Sequence, residues 1–407
     1  MAPAWPASRP HPWVVLGFLL MVALIIRLAV LPATGHSGDV SVMARWAENL
    51  AQFGPWFFYQ HDGAIYPALL PFLWPIGLLL DDVALTLVIK GLSIPFDLLL
   101  GVLLFAVVAS RTDPARGLLA AGLYLLNPAA VIAGPWWGQV DAAGTLLFVG
   151  ALVALAADRF AVAGGAAILA GLAKPQFGLV ALPVAVVTIQ RWRRGDGPRA
   201  LGLAAVGGAV TGLAIGLFAG LTPWHWLELL RGAAEFQPAT SLGAFNIWAL
   251  LVGFGVPDDP YVTIGAVLLV AGVVGALLPL RRGSDLATLL AVGLCLAFAF
   301  YFLPTRVHER YLFPALALAA PFAAVHLPSL VAYLGLSIGF ALSLLRVLIL
   351  TAGLEIAPWF DEALTAEATV WILGAVLIGS AVALVWLTLR GAGAPLVERA
   401  AVSAAPG

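Results

Sequence analysis

Charge is scarce in this chain and cysteine is nearly absent. Only 10% of the 407 residues are charged, 62% are hydrophobic, and mean hydropathy is +1.02. Soluble domains carry about 25% charged residues, so the composition excludes a soluble globule and reads as a polytopic membrane protein. A net charge of −1 provides no basic face for nucleic acid. The lone Cys295 excludes a disulfide framework and a cysteine-held metal cluster. Lysine occurs only at Lys90 and Lys174, an imbalance against arginine that reads as genome composition. Also missing are a Walker A loop, a G-x-G-x-x-G after a strand, an H-E-x-x-H pair and a G-x-S-x-G elbow. No cleavable signal is evident, because the first apolar run is about 20 residues long and suits an uncleaved helix. No repeat or linker divides the chain. Residues 1–390 read as one domain, and 391–407, rich in Gly, Ala, Pro and Ser, as a disordered cytoplasmic tail.

Apolar runs at 13–32, 84–109, 117–134, 141–157, 160–174, 176–190, 200–220, 260–280, 286–303, 311–326, 329–350 and 367–389 predict an all-α bundle of about 12 transmembrane helices. Two further runs, 64–80 and 245–256, are expected to be re-entrant or interfacial. The first carries Pro67, Pro71 and Pro75, each of which removes a helical hydrogen bond, and the second is short. With a cytoplasmic N-terminus this scheme puts Arg9, Arg111, Arg116, Arg159, Arg191, Arg193, Arg194, Arg199, Arg281, Arg282, Arg390 and Arg399 inside. Only Arg45, Lys174, Arg231, Arg306 and Arg310 remain outside, as the positive-inside rule requires. Letting 64–80 cross would turn the Arg191–Arg194 string outward. The expected location is the plasma or inner membrane. Most acidic residues and His36, His61, His225 and His308 then share the outer face.

The polar first loop, 33–83, draws attention. Asp39 precedes Met43, Trp46, Leu50 and Phe53, a helical apolar stripe that predicts an amphipathic helix lying on the membrane surface. Asp39 has two readings, an N-cap of that helix and a general base or metal ligand at the membrane boundary. Gln139 and Asp141 sit at the mouth of a span. They read either as sugar-hydroxyl ligands or, for Asp141, as a helix cap. Lys174 interrupts an apolar run, which makes it a phosphate contact or a snorkelling side chain. Arg306-Val307-His308-Glu309-Arg310 is the densest ionisable cluster. Guanidinium geometry suits a phosphate diester, a surface salt-bridge network is the alternative, and one reading of Glu309 is an acid that orients an arginine. Lys90, Asp97, Arg27 and Arg346 lie within spans and read as packing residues.

Taken together these patches resemble the GT-C class of polytopic glycosyltransferases, which use polyprenyl-phosphate sugars. The nearest resemblance is to bacterial mannosyltransferase-like proteins related to the second mannosyltransferase of GPI-anchor synthesis, and the chain is also similar to dolichyl-phosphate-glucose glucosyltransferases. The patches are Gly38-Asp39, Tyr66-Pro67-Ala68-Leu69, Asn127-Pro128 with Trp137-Gly138-Gln139-Val140-Asp141, Lys174-Pro175-Gln176 and His308-Glu309-Arg310-Tyr311, with Ala244-Phe245-Asn246-Ile247-Trp248 as a weaker sixth. The resemblance implies a GT-C-like bundle with external amphipathic or re-entrant helices and a catalytic acid at Asp39. It implies donor-phosphate contacts from His308 and Arg310, to which Arg306 and Lys174 are added. It leaves Gln139, Asp141, Tyr66 and Glu309 for sugar or acceptor.

The implied reaction is inverting transfer of a hexose, mannose favoured, to a glycan, lipid or protein acceptor on the outer face. The implied partners are the polyprenyl-phosphate donor and the bilayer, with no nucleic acid. The chain departs from the family at Ala68, at Arg310 where the glucosyltransferases have Lys, and in lacking a second acid beside Asp39. No cofactor is required. A divalent metal (Mg or Mn), if used, would fall to Asp39 and Asp141. A multi-pass transporter or lipid flippase is the rival class, expecting ionisable groups near the bilayer midplane such as Lys90 and Asp97. A non-catalytic envelope-complex partner is a third.

Overall fold

The computed structural model describes residues 10–63, 66–235 and 237–397. It is built of helices, and the extended contacts among the described residues are isolated bridges. Among the described residues six helices are long and apolar enough to cross a membrane: Pro12–Val30, Asp82–Arg111, Arg199–Ala219, Val262–Arg281, Leu327–Ala352 and Glu367–Ala392. The pair Pro114–Leu125 and Pro128–Trp136, bent by 46°, makes a seventh if it is one span. The expected count of about 12 is therefore not confirmed, although every one of the predicted runs contains helix. The remaining runs form short helices. Asp141–Ala156, Phe160–Ala173 and Phe313–Val325 have 16, 14 and 13 residues, against the roughly 20 that a hydrocarbon core demands.

Burial explains how short helices persist. Phe313–Val325 is buried along almost its whole length, and Leu286–Phe302 nearly so. A helix sheathed by other helices ends against protein rather than lipid, so its length is set by its neighbours. Those short central helices end inside the molecule, and their ends bring polar residues together.

Buried ionisable groups outside the site are spent on packing. Arg27 Nε donates to Asp97 Oδ2 at 3.1 Å, and the Tyr124 hydroxyl donates to Asp97 Oδ1. Lys90 Nζ donates to the Leu31 and Ala33 carbonyls, holding the chain as it leaves the first helix.

The first loop is folded, and not as expected. The Ser37–Phe53 helix buries Val40, Met43, Trp46, Ala47 and Leu50. This stripe packs on Leu69, Leu70 and Leu73 and on Leu85 and Ile89. The helix thus lies on protein rather than on the membrane surface, because a second apolar helix, Leu70–Leu79, takes its face. Pro71 falls in the first turn of that helix, where its missing N–H is not needed, and only Pro75 is internal. The two helices approach closely at Gly77, where a Cβ would come 2.0 Å from the Ala47 carbonyl oxygen. At 10 residues Leu70–Leu79 is too short to cross, and the 245–256 run yields only the five-residue helix Ile247–Leu251.

Residues 388–396 form two helical turns, and Leu396 is fully buried in the main core. The remainder of the tail, with Arg399, and Arg9 at the other terminus lie outside the described residues.

Candidate active site

The site is assembled from helix ends. Asp39 stands in the first turn of the Ser37–Phe53 helix, but it is not the cap. His36 is, its Nδ1 accepting the Asp39 backbone N–H at 3.2 Å. The Asp39 carboxylate is thereby released to face across the molecule. Its Oδ2 accepts from Trp137 Nε1 at 2.7 Å and from Gln139 Nε2 at 2.8 Å, with His36 Nδ1 at 3.3 Å and Arg310 Nη1 at 3.8 Å.

Backbone geometry lets Trp137 and Gln139 reach the same oxygen. The chain passes through a π-turn at Ile132–Trp136 and then through Gly138 at φ +100°. A side chain at Gly138 would be strained there and would meet Val40 at 2.5 Å. The Trp137 carbonyl accepts from His36 N–H and Trp136 Nε1 donates to Thr34, tying this turn to the loop before Asp39.

Lys174 closes the network. It ends the Phe160–Ala173 helix in extended conformation, since the residue before a proline avoids the helical region. Its ammonium donates to Gln139 Oε1 at 2.8 Å and to both oxygens of Asp141 at 2.9 Å. It is almost wholly buried, so it does not snorkel. Asp141 occupies the first helical position of Asp141–Ala156 and spends its carboxylate on Lys174 rather than on a cap. The Tyr66 ring lies 5.3 Å from Lys174 Nζ.

Arg310 comes from the 3-10 turn Glu309–Leu312. Its Nη1 donates to Glu309 Oε1 at 2.7 Å, so Glu309 orients the guanidinium rather than offering a free carboxylate to a sugar. Arg310 Nε is buried with no partner. His308 packs edge-on against Tyr311 and bridges through its backbone to Leu242 and Gly243.

These contacts set the charges. Burial would raise the Asp39 carboxyl, but Arg310, the Trp137 bond, His36 and Lys174 outweigh it and bring it down to about 2. Burial, followed by the Arg310 charge, holds His308 well below its usual range and therefore neutral. Burial raises Glu309 even against the pull of Arg310.

The structure thus gathers Asp39, Gln139, Asp141, Lys174, Tyr66, His308, Glu309 and Arg310 around one network. Arg306 is separated from it. Arg306 grips Asp258 through Nε at 2.7 Å and Nη2 at 3.1 Å, from a left-handed φ of +64°. Thr305 donates to the same carboxylate. Arg306 therefore pins the 305–309 strip to the 239–258 loop. Asp62, a further acid of the loop, binds Arg45 and Asn49. Asp39 and Asp141 do not fit a divalent cation, because each carboxylate already faces a side-chain cation. No group of three or more His, Cys, Asp or Glu able to hold a metal occurs among the described residues.

Sequence reasoning passed over Trp137, because interfacial tryptophans are ordinary, and over His36, whose capping role has no letter signature. The signal available for both was adjacency to Gln139 and Asp39.

No known protein family matches the chain. A comparison with curated proteins finds no relative. Among solved structures, the apo crystal structure of the Archaeoglobus fulgidus oligosaccharyltransferase aligns over 94% of this chain and 56% of that one, with 15% identity and a TM-score of 0.43. This chain spans a little over half the length of that protein, and a likeness this low carries neither fold nor activity across.

Proposed function

We propose that the chain is a membrane glycosyltransferase of the GT-C kind, moving a hexose, mannose favoured, from a polyprenyl-phosphate sugar to an acceptor hydroxyl at the outer face. The observation that carries this reading is the Asp39–Arg310 pair, a carboxylate 3.8 Å from a buried guanidinium whose Nε has no partner. A base beside an unsatisfied phosphate-matching cation is what transfer from a phosphate-linked sugar needs.

In this mechanism the donor phosphate engages Arg310 and draws it from Asp39. Loss of that neighbouring charge raises the proton affinity of the carboxylate, which is a weak base in the free protein. The acceptor O–H then breaks, its proton passes to Asp39, and its oxygen attacks the anomeric carbon. The bond from that carbon to the phosphate oxygen breaks, its electron pair leaves on the lipid phosphate, and attack from the opposite face inverts the centre. Arg310 stabilises the departing charge. Lys174, committed to Gln139 and Asp141, acts by fixing Gln139 against Asp39.

An apolar cavity of about 440 Å³ supports a lipid donor. Pro67, Pro175, Gly171, Gly178, Trp226 and Leu229 are among its walls. It begins one residue from Tyr66 and one from Lys174. The transporter reading loses its support, because Lys90 and Asp97 are spent on helix packing.

Purified protein in nanodiscs, assayed with a panel of polyprenyl-phosphate hexoses, tests the proposal. Transfer dependent on Asp39 is expected. Inactivity with every donor would refute it.

A further inference from the structure

Arg346 lies within the Leu327–Ala352 helix, six residues from its end and so about 9 Å below it. Among the described residues its guanidinium has no hydrogen bond and no acidic partner, and its Nε is buried and unsatisfied. It is held instead against two aromatic faces, 5.9 Å from the Phe245 ring and 5.2 Å from the Phe254 ring. An ionisable group in a membrane-spanning helix is costly and is ordinarily paired or functional. Arg27, fully buried in its span, is paired with Asp97, whereas Arg346 is half-buried and has no such partner among the described residues.

Its helix packs on a strip that also meets the Glu309–Arg310 turn. The neighbouring Val347 and Glu309 both pack against Gly243, on the side a Cβ would occupy. A Cβ at Gly243 would meet Glu309 Oε2 at 2.8 Å and Val347 Cγ2 at 3.0 Å. Glu309 in turn holds Arg310. The turn that carries Arg310 and the helix that carries Arg346 therefore both pack on one strip, residues 243–245, and each arginine carries an unsatisfied Nε. Two of the cations expected on the donor phosphate, Arg306 and Lys174, are committed to Asp258 and Asp141.

We infer that Arg346 binds a phosphate group of a lipid-anchored substrate, as a guanidinium additional to Arg310. The inference deepens the glycosyltransferase reading and rests on it for the identity of the substrate. The phosphate belongs either to the polyprenyl carrier or to a phospholipid-linked acceptor. Both present the same oxyanion chemistry to a planar guanidinium.

The test uses the full chain in phosphatidylcholine nanodiscs. Binding of undecaprenyl phosphate and of phosphatidylglycerol is measured for wild type, Arg346→Gln and Arg346→Lys, alongside KM for donor and acceptor. Arg346→Gln removes an unpaired charge, so thermal stability should hold, and Arg346→Lys keeps the charge should it not. The expected result is a loss of affinity of about tenfold or more in Arg346→Gln for one of the two lipids, partly restored in Arg346→Lys. A raised donor KM with weaker undecaprenyl phosphate binding assigns the carrier. A raised acceptor KM with weaker phosphatidylglycerol binding assigns the acceptor. Wild-type values in Arg346→Gln, or a wild type that binds neither lipid, overturn the inference. A wild type that binds undecaprenyl phosphate through Arg346 but transfers no sugar defeats the transferase reading alone.

Discussion

Asp39 meets side chains from three stretches of chain, His36, Trp137 with Gln139, and Arg310, and its chemistry follows from which of them the substrate displaces. Asp39→Asn retains the shape, and His36 still caps the helix, so the fold should survive. Transfer should fall by about 10²–10⁴-fold, the usual contribution of a general base. A single-turnover assay checks this, and ordinary turnover in Asp39→Asn would remove Asp39 from the chemistry. Arg310→Ala should instead raise donor KM, with a further loss in kcat to the extent that the contact tightens on the leaving phosphate. The free protein holds the Asp39 carboxyl at about 2, below its ordinary 3.8. Its stabilising contribution is therefore complete above pH 3.8 and is lost as pH falls toward 2. Correspondingly, kcat/KM should show no limb from this carboxyl between pH 4 and pH 7. A limb in that range that vanishes in Asp39→Asn would mean that Arg310 does not hold Asp39 in the free protein.

At the scale of elements, two contacts hold the site in shape. Lys174 and Asp141 join the end of one short helix to the start of another, both almost wholly buried. Lys174→Met leaves an unpaired buried carboxylate and should destabilise by about 3–5 kcal/mol, whereas the double variant Lys174→Met/Asp141→Leu should lose much less. Thermal unfolding in nanodiscs compares them, and equal losses would mean that the pair is not buried as described. The second contact is Gly77 on Ala47. Gly77→Val inserts atoms where backbone already sits and should cost about 1–3 kcal/mol. It should also lower transfer by pushing the Ser37–Phe53 helix away from Trp137. Unchanged melting and activity would show that the two helices are not in close contact.

Across the whole molecule, the charge asymmetry orients the bundle. Residues 111–116, 191–199 and 281–285 should be cytoplasmic, and 33–66 and 304–310 external. Single-cysteine labelling in a Cys295→Ser background reads this directly. Labelling of position 195 from outside would invert the orientation and place the Asp39 network on the wrong face for an outer-leaflet donor.

The sequence by itself determined the solvent class, the helical content and most of the site. Hydropathy and charge asymmetry are sums over composition, so they need no coordinates. Asp39, Gln139, Lys174 and Arg310 stood out because a polar residue in an apolar chain is costly wherever it lies. Only the tertiary structure decided what each of them touches. It withdrew Arg306 to Asp258 and Lys174 to Asp141, released Asp39 from capping, and put a helix rather than lipid against Met43, Trp46 and Leu50. It also shortened the central helices below spanning length. The reason is the same in each case. An amphipathic stripe records that a face is buried but not what covers it, and a charged residue records that a partner is needed but not which one. Those choices are made between groups as far apart in sequence as Asp39 and Arg310, where local pattern carries no information and only packing does.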